Sequence, residues 1–333
     1  MRSFSVLAKV LLAVAAVKLG LTLVSLIETN RGLVRILDFV REPSIYLSAL
    51  LALIALFFAG KGRWIVIGIF ALSAAINFAR IWPYSALAPT EFPLPDDVDG
   101  MSCARALSLN VLEKNKQYDR VTQLIEREKP DILLLMETNA RWVEALQPVL
   151  SQYGYLLTEP LDNRYGMTFA TNLQVDEAQM VANTSANTPT LYATLRMEDG
   201  ARFEMIGLHP RPPLPGESTE SRDENISNAG ARTLSGLDNV LVMGDFNDVP
   251  WSHTTSQFKA EGNYRDPRAG RGSFATFPAD YVLLGWPLDQ LFVKNDVRLE
   301  SFAILEDVGS DHLPLVANVC VGLTQSERAA PQE

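Results

Sequence analysis

Three dense apolar runs in the first quarter of the chain constrain its fold more than any other feature of the sequence. They cover about Val6–Ile27, Ser44–Gly60 and Trp64–Pro83 of the 333 residues. A helix needs roughly 20 apolar residues to cross the hydrocarbon core of a bilayer. A cleaved signal peptide would explain the first run alone and would leave the other two unexplained as parts of a soluble domain. We therefore predict that residues 1–85 form three transmembrane helices in a lipid bilayer.

The basic residues around these runs favour one orientation in the membrane. Arg2 lies at the amino terminus, and Lys61-Gly62-Arg63 forms a short basic hairpin between the second and third helices. Under the positive-inside rule both would face the cytoplasm, so the chain after the third helix would lie outside. Arg31, Arg35 and Arg41 oppose this assignment, because their loop would also lie outside. The balance favours an extracytoplasmic domain, with the opposite orientation left open.

The remainder of the chain is acidic. The net charge is −10, and the first 98 residues contain nine Lys or Arg against six Asp or Glu, so the acidic excess lies beyond them. Tight binding of duplex DNA depends on a basic surface that neutralises phosphates. The composition therefore argues against a duplex-binding protein, although an enzyme that acts on exposed nucleic acid remains open.

The chain has two cysteines, Cys103 and Cys320, which excludes a zinc site built from several thiolates. Cys103 opens the first predicted strand after the membrane segment, and Cys320 ends the last. If these strands pair antiparallel with Asn110 opposite Leu313, the same register places the cysteines opposite each other, at a distance that a disulfide can span. A disulfide would indicate an oxidising compartment. Two buried free thiols are the alternative.

The chain beyond the membrane helices divides into three predicted parts. Residues 86–100 are rich in Pro and Asp and lack an apolar period, so we predict a linker. Residues 101–322 form the globular domain, and the small, polar residues 323–333 form a disordered tail. Hydrophobic periodicity predicts strands over Arg105–Val111, Asp131–Glu137, Gly166–Ala170, Thr190–Met197, Arg202–Leu208, Val240–Met243, Pro287–Val293 and Leu315–Val321, helices over Lys116–Lys129, Arg141–Ser151 and Asn228–Gly236, and a loop over Pro215–Arg232.

One predicted strand ends on two polar side chains. The apolar run Val240–Met243 is too short for a helix and stops at Gly244, and Asp245 and Asn247 follow at a spacing of two. In extended chain alternate side chains point the same way, so a carboxylate and a carboxamide leave the strand side by side. This pair suits a hydrated metal and a phosphoryl oxygen, although an Asp/Asn-rich turn would give the same pattern.

Polar residues recur at the ends of the other predicted strands. The full set is Asn110, Glu137, His209, Asp245, Asn247, Asp289, Asp311 and His312. The third histidine of the chain, His253, is interpreted as an ordinary loop residue. Each member of the set has an ordinary alternative as a strand cap, a turn residue or a structural histidine. Together they supply a carboxylate–imidazole pair and oxygen ligands for one hard metal, the groups that hydrolysis of a phosphodiester by an activated water requires.

The ordered motifs closely resemble the endonuclease/exonuclease/phosphatase superfamily of DNase I-like enzymes. The matching segments, in the order of that family, are Ser108-Leu-Asn-Val111, Leu134-Leu-Met-Glu137, Leu208-His-Pro210, Gly244-Asp-Phe-Asn247, Leu288-Asp-Gln290 and Gly309-Ser-Asp-His312. They span about Cys103–Val321. The amino-terminal helices are similar to those of a bacterial subgroup with membrane segments before the catalytic domain, located in the inner or cell membrane. The resemblance implies an α/β fold, a two-sheet β-sandwich flanked by helices.

The resemblance also implies a role for each residue of the set. Glu137 matches the principal ligand of one Mg²⁺ or Mn²⁺ ion, with Asp311 supporting the metal side. Asn110 and Asn247 would orient metal, water and substrate phosphate. His312, held by Asp289, would act as the base or as a phosphate-contacting imidazole. The remaining two are Asp245, which would align or deprotonate the attacking water, and His209, which would protonate or stabilise the leaving oxygen.

One position departs from the family pattern. Some members have an acidic residue two positions after the first asparagine, where this chain has Leu112, which favours a site with one metal. Arg164 and Arg211 suit contacts with phosphate because Arg binds oxyanions in bidentate fashion, but surface positions explain them equally well.

The resemblance implies a membrane-anchored, metal-dependent phosphoesterase of the nuclease-like kind. A phosphodiesterase or phosphatase acting on a phospholipid or a small phosphate ester is the alternative, and a membrane protein that binds a ligand without turnover is a second one. The partners implied are a phosphate-ester substrate and the bilayer, and no protein partner is inferred.

Overall fold

The computed structural model describes residues 6–58, 60–184, 188–231 and 236–323. Its helices are α1 (Val6–Val24), α2 (Gly32–Arg35), α3 (Arg41–Phe58), α4 (Arg63–Ile81), α5 (Tyr118–Glu128), α6 (Ala140–Leu150), α7 (Glu220–Ala231) and α8 (His253–Gly262). Its strands are β1 (Ser102–Asn110), β2 (Ile132–Met136), β3 (Tyr155–Glu159), β4 (Met167–Thr171), β5 (Gln174–Ala182), β6 (Pro189–Arg196), β7 (Arg202–Leu208), β8 (Val240–Asp245), β9 (Asp289–Lys294), β10 (Val297–Ile304) and β11 (Leu315–Val321). The predicted disordered tail lies outside these residues from position 324 onwards.

Helices α1, α3 and α4 form a bundle whose outer surface is apolar. Small residues such as Ala15 and Ala55 lie at its centre beside Phe70, and small side chains allow helix backbones to approach closely in a membrane. α1 and the helical stretch Arg63–Tyr84 are each long and apolar enough to cross a bilayer. The segments Gly32–Asp38 and Arg41–Phe57, which meet at a bend of 68°, would supply a third crossing if they count as one span.

Two sheets form the domain that follows. Their strand orders are β10-β11-β1-β2-β4-β3 and β5-β6-β7-β8-β9, and each contains one parallel pair, β1 with β2 and β7 with β8. The sheets pack face to face over a shared apolar core. Helices α5 and α6 cover the outer face of the first sheet, and α7 and α8 cover that of the second. The predicted α/β fold, a β-sandwich flanked by helices, is confirmed.

The predicted pairing of the first and last strands of this domain is also found. β1 and β11 run antiparallel with Ser108 opposite Leu315 and Cys103 opposite Cys320. The two cysteines form a disulfide, and their Cα atoms lie 4.0 Å apart. The bond joins positions 217 residues apart in sequence, so it links the first and last strands of the domain at the end of β1 farthest from Asn110.

Two helices on the second sheet differ from the sequence prediction. The loop predicted over Pro215–Arg232 is wrong from Glu220 onwards, because α7 occupies Glu220–Ala231. The helix predicted near Asn228–Gly236 overlaps the end of α7, and its residues 232–235 lie outside the described part. His253, predicted to lie in a loop, begins α8, where Ser252 caps the helix by accepting a hydrogen bond from the Thr255 N–H. Both helices are mostly polar and bury only a few side chains on the sheet, so their apolar period is too weak to detect.

The segment between α4 and β1, for which the sequence predicts a linker, packs along the globular domain. Phe92 is buried, and its carbonyl accepts a hydrogen bond from Arg271 Nη2. Glu91 pairs with Lys259, and the Asp96 N–H donates to the Leu299 carbonyl at 2.9 Å. These contacts fix the segment against the globular domain.

Candidate active site

The two parallel strand pairs bring the polar strand ends together. β1 ends at Asn110, and Glu137 directly follows β2. In the other sheet His209 follows β7, and β8 ends at Asp245. Because the carboxyl ends of parallel strands meet at one edge of a sheet, and the two sheets face each other, the four side chains converge at one end of the sandwich.

Glu137 is held by its neighbours in a fixed orientation. Its φ is +60°, a left-handed conformation that costs a non-glycine residue about 1 kcal/mol or more and is found disproportionately at functional sites. Glu137 Oε1 accepts a hydrogen bond from Asn110 Nδ2 at 3.3 Å, and Oε2 accepts one from the backbone N–H of Glu113 at 2.9 Å. The carboxylate is half-buried, so its remaining lone pairs are available to a ligand in the cavity that it lines.

Asp245 is the centre of the site. Its Oδ2 atom accepts a hydrogen bond from Asn110 Nδ2 at 3.1 Å and lies 3.5 Å from His209 Nε2 and 3.6 Å from His312 Nε2. Its Oδ1 atom accepts the backbone N–H of Asn247 at 2.8 Å. The side chain is buried, and a carboxylate beside two imidazoles can exchange a proton with either of them.

His312 is paired with a second buried carboxylate. Its Nδ1 atom lies 2.7 Å from Asp289 Oδ2, and its backbone N–H donates to Ser310 Oγ. Burial lowers the pKa of the His312 ring, but the negative charges of Asp289 and Asp245 outweigh that effect and raise the pKa to about 10. The ring is therefore an imidazolium at neutral pH, with its positive charge directed at the centre of the site.

The remaining predicted residues also lie in or beside the site. Asn247, at φ +47°, donates from Nδ2 to the Pro210 carbonyl at 3.0 Å. Asp311 lines the cavity, and its backbone carbonyl accepts a hydrogen bond from the Ala279 N–H at 2.9 Å. Arg164 lines the cavity, and the Arg211 guanidinium lies 5.4 Å from the centre of the Tyr165 ring.

These residues line a cavity of about 400 Å³ together with apolar and aromatic residues. The additional lining residues, to which the sequence analysis assigned no role, are Ile36, Phe39, Val40, Tyr165, Pro212, Pro213, Phe277, Trp286 and Leu288. Phe277 contacts the His312 ring, with 4.8 Å between ring centres. The first three belong to the segment that joins α1 to α3. No signal in the sequence marks them, since only tertiary packing brings that segment to the cavity.

The oxygen donors of the site fit a hard divalent cation. Within the described ranges, no group of three or more His, Cys, Asp or Glu side chains is arranged to hold a metal ion. Mg²⁺, however, is typically bound through one or two carboxylates, with waters and substrate phosphates completing its shell. Glu137 faces the cavity with the Asn110 amide beside it, and Asp311 lines the same cavity. This set of hard oxygens suits Mg²⁺ or Mn²⁺ and offers no thiolate for a soft metal.

A family model described as "Endonuclease/Exonuclease/phosphatase family" matches residues 107–312, and no curated protein matches the sequence. Among solved structures, an endonuclease/exonuclease/phosphatase family protein from Bacteroides thetaiotaomicron is 15% identical with a TM-score of 0.55, covering 70% of this chain and 99% of its own. The corresponding protein from Bacteroides vulgatus is 16% identical with a TM-score of 0.54, covering 66% and 100%. D. rerio TDP2, complexed with a single-strand DNA product, is 13% identical with a TM-score of 0.54, covering 66% and 99%. At these identities the similarity shows a common fold.

Proposed function

Since the chain belongs to the endonuclease/exonuclease/phosphatase family, we propose that it is a membrane-anchored hydrolase of phosphate esters that depends on one divalent cation. The observation that supports this most strongly is the position of Asp245, whose Oδ2 atom lies within 3.6 Å of Asn110 Nδ2 and both histidine Nε2 atoms. Family members generally hydrolyse phosphate esters, and this cluster contains the groups that such a reaction needs.

The side chains divide the reaction between charge stabilisation and proton transfer. The His312 imidazolium, oriented by Asp289, binds a phosphoryl oxygen and stabilises the negative charge that develops there. Asp245 accepts the proton of the attacking water and is held in place by the Asn247 backbone N–H. His209, whose Nε2 atom lies 3.5 Å from Asp245 Oδ2, donates a proton to the leaving oxygen. Asn110 orients both Asp245 and Glu137 through one amide group.

Glu137 and Asp311 would hold the cation, with the Asn110 amide beside them. Bound there, Mg²⁺ or Mn²⁺ would polarise the phosphoryl group as a Lewis acid. The strained backbone of Glu137 and its two hydrogen bonds keep the carboxylate directed at the cavity without help from the substrate.

The proposed location is a cell membrane with the catalytic domain on its extracytoplasmic side. The disulfide between Cys103 and Cys320 supports an oxidising compartment. Arg35 and Arg41, which opposed this orientation in the sequence, are buried in ion pairs with Asp38. Their charges therefore contribute to internal packing and are not exposed in the loop.

The experiment that tests the proposal is hydrolysis of bis-p-nitrophenyl phosphate by the full chain in detergent, with Mg²⁺ or Mn²⁺ and after chelation. We expect metal-dependent release of p-nitrophenol. In His312→Ala the rate should fall by about 10²–10⁴-fold, the usual contribution of a group of this kind. His253→Ala is the matched control, because His253 is half exposed at the start of α8. Equal rates in the two variants would refute the site.

A further inference from the structure

The active-site cavity is bounded on one side by the segment that joins two membrane helices. Ile36, Phe39 and Val40 line this cavity. Leu37 and Val40 line a second cavity of about 280 Å³ within the helix bundle. Val40 therefore lines both cavities. The short segment 36–40, which we call the partition, separates the active-site cavity from the cavity within the helix bundle.

The second cavity is a groove between α1 and α3 that is open at the outer surface of the bundle. Its apolar walls come from both helices, with Leu21 of α1 half exposed at 50% and Leu47 of α3 at 48%. Its polar side contains Lys18, Thr22, Ser44 and Asn77. We call it the bundle groove. It has the size and composition to hold a hydrocarbon chain together with a few polar atoms.

Lys18 is the unusual member of the bundle groove. It lies six residues before the end of α1, or roughly 9 Å at 1.5 Å per residue, on the side nearer the catalytic domain. Its ammonium donates to Ser44 Oγ at 2.6 Å and Ser73 Oγ at 3.1 Å. In the described part of the chain it has no carboxylate within ion-pair distance. An ammonium has three donors, and an ionisable side chain facing a cavity inside a membrane bundle is typically functional.

The surface around the partition is apolar as well. Exposed large side chains lie on the segment that joins α1 to α3 and on a loop of the catalytic domain that it contacts, namely Leu26, Ile27, Leu33, Val40 and Leu214. The two regions are joined directly, since the Gly32 N–H donates to the Glu217 carbonyl at 2.9 Å. This edge of the domain is therefore suited to contact the bilayer surface. Such contact would place the opening of the active-site cavity at that surface.

We propose that the substrate is a membrane lipid that carries a phosphoester headgroup. Its phosphate lies in the catalytic cavity, and one hydrocarbon chain passes the partition at Val40 into the bundle groove. Lys18 contacts an oxygen at the junction between the headgroup and the chain. The inference rests on the proposed function and adds the class of substrate. The acidic charge of the catalytic domain argues against tight binding of duplex DNA.

The test compares lipids with their chain-free counterparts. The full chain in mixed detergent micelles is assayed on phosphatidylglycerol and phosphatidic acid, and on glycerophosphoglycerol and glycerol 3-phosphate. Burial of several methylene groups in the groove should give at least one of the two lipids a kcat/KM about 100-fold or more above that of its chain-free counterpart.

Variants that fill the groove provide the structural control. Leu47→Trp and Leu21→Trp block it from opposite helices, and each should lower the ratio of lipid to chain-free kcat/KM by about tenfold, as expected when an occupied site is overpacked. Leu50→Trp makes the same change on α3 at an exposed position outside the groove, 55% accessible, and should leave the ratio within about twofold, the range usual for a surface change.

The failures of the two proposals are distinguishable. Equal kcat/KM for lipids and chain-free counterparts, or equal ratios in Leu47→Trp and Leu50→Trp, would overturn the lipid assignment. So would cleavage of plasmid DNA with both lipids left intact. If bis-p-nitrophenyl phosphate is also not hydrolysed under any of the metal conditions, the proposed function itself fails, and the lipid assignment with it.

Discussion

Trp286 donates its indole N–H to the backbone carbonyl of Phe39 at 2.6 Å, which joins the sandwich domain to the segment between α1 and α3. The Trp286 and Phe39 rings also pack edge to face with 5.8 Å between their centres. Both residues line the active-site cavity. The wall of the active site is therefore shared by two parts of the chain that are 247 residues apart.

Loss of the Trp286 hydrogen bond should raise the KM clearly and lower the free energy of unfolding only slightly. Trp286→Phe removes the donor and leaves an aromatic ring, so we expect about 1 kcal/mol of destabilisation together with a raised KM. Trp251→Phe is the matched control, since Trp251 donates to the neighbouring Asp38 carbonyl at 2.8 Å and does not line the cavity. Kinetics on bis-p-nitrophenyl phosphate and thermal unfolding distinguish the variants. Equal KM values would contradict the shared wall.

A buried ion cluster fastens the helix connection to the domain. Arg35 lies 3.3 Å from Asp38 and 3.9 Å from Asp248, and Arg222 approaches Asp248 from α7 at 3.4 Å. Removing one partner leaves an uncompensated buried charge, so Arg35→Met should cost about 3–5 kcal/mol of unfolding free energy.

Thermal unfolding of the detergent-solubilised protein measures this effect. Arg31→Met, at an exposed position, is the control and should change stability by less than about 0.5 kcal/mol. A similar melting temperature for both variants would show that the cluster does not stabilise the junction.

The disulfide should contribute stability without contributing to catalysis. The Cys103→Ser/Cys320→Ser double variant increases the conformational entropy of the unfolded chain. It should therefore lower the free energy of unfolding by about 2–4 kcal/mol. Hydrolysis at 25 °C should be retained, because the bond is at the opposite end of β1 from Asn110. Titration of thiols in the denatured, unreduced wild type should detect none, and two free thiols would contradict the assignment.

Asp289 should act on the reaction through His312. Asp289→Asn removes the charge that raises the pKa of His312, so the imidazolium would lose its proton at lower pH. The alkaline limb of the pH–rate profile should therefore move downward by about one pH unit or more. The readout is the pH dependence of kcat at saturating metal. An unchanged alkaline limb with a lower rate would indicate a purely structural role for Asp289.

The sequence contained enough information to predict the β-sandwich and the polar residues that cluster at one of its ends. Continuous apolar runs such as Ile132–Met136 are typical of strands buried on both faces. Asn110, Glu137, His209 and Asp245 lie at the carboxyl ends of strands, and the strand positions each of them. The register considered for the first and last strands, with Asn110 opposite Leu313, places the two cysteines opposite each other, as the structure does. Local patterns of this kind are sufficient where the secondary structure itself positions the side chain.

Contacts between segments that are far apart in the chain could not be predicted from local sequence patterns. α7 and α8 have weak apolar periods, and no property of Ile36, Phe39 or Val40 distinguishes them from other apolar residues near a membrane helix. Their position at the active site depends on hydrogen bonds from Trp251 and Trp286 to backbone carbonyls. Such contacts are long-range and have no local sequence pattern.

Under the proposed function, Glu137 holds a cation on which phosphoester hydrolysis depends. The decisive measurement is the Mg²⁺ dependence of bis-p-nitrophenyl phosphate hydrolysis in the wild type, Glu137→Gln and Glu144→Gln, the last being an exposed change on α6. We predict that the wild type and Glu144→Gln share one Mg²⁺ saturation curve. Glu137→Gln should lose about 10²-fold or more of its rate, in line with loss of several kcal/mol of charge stabilisation. Wild-type turnover that persists after chelation, or that Glu137→Gln retains in full, would contradict the account.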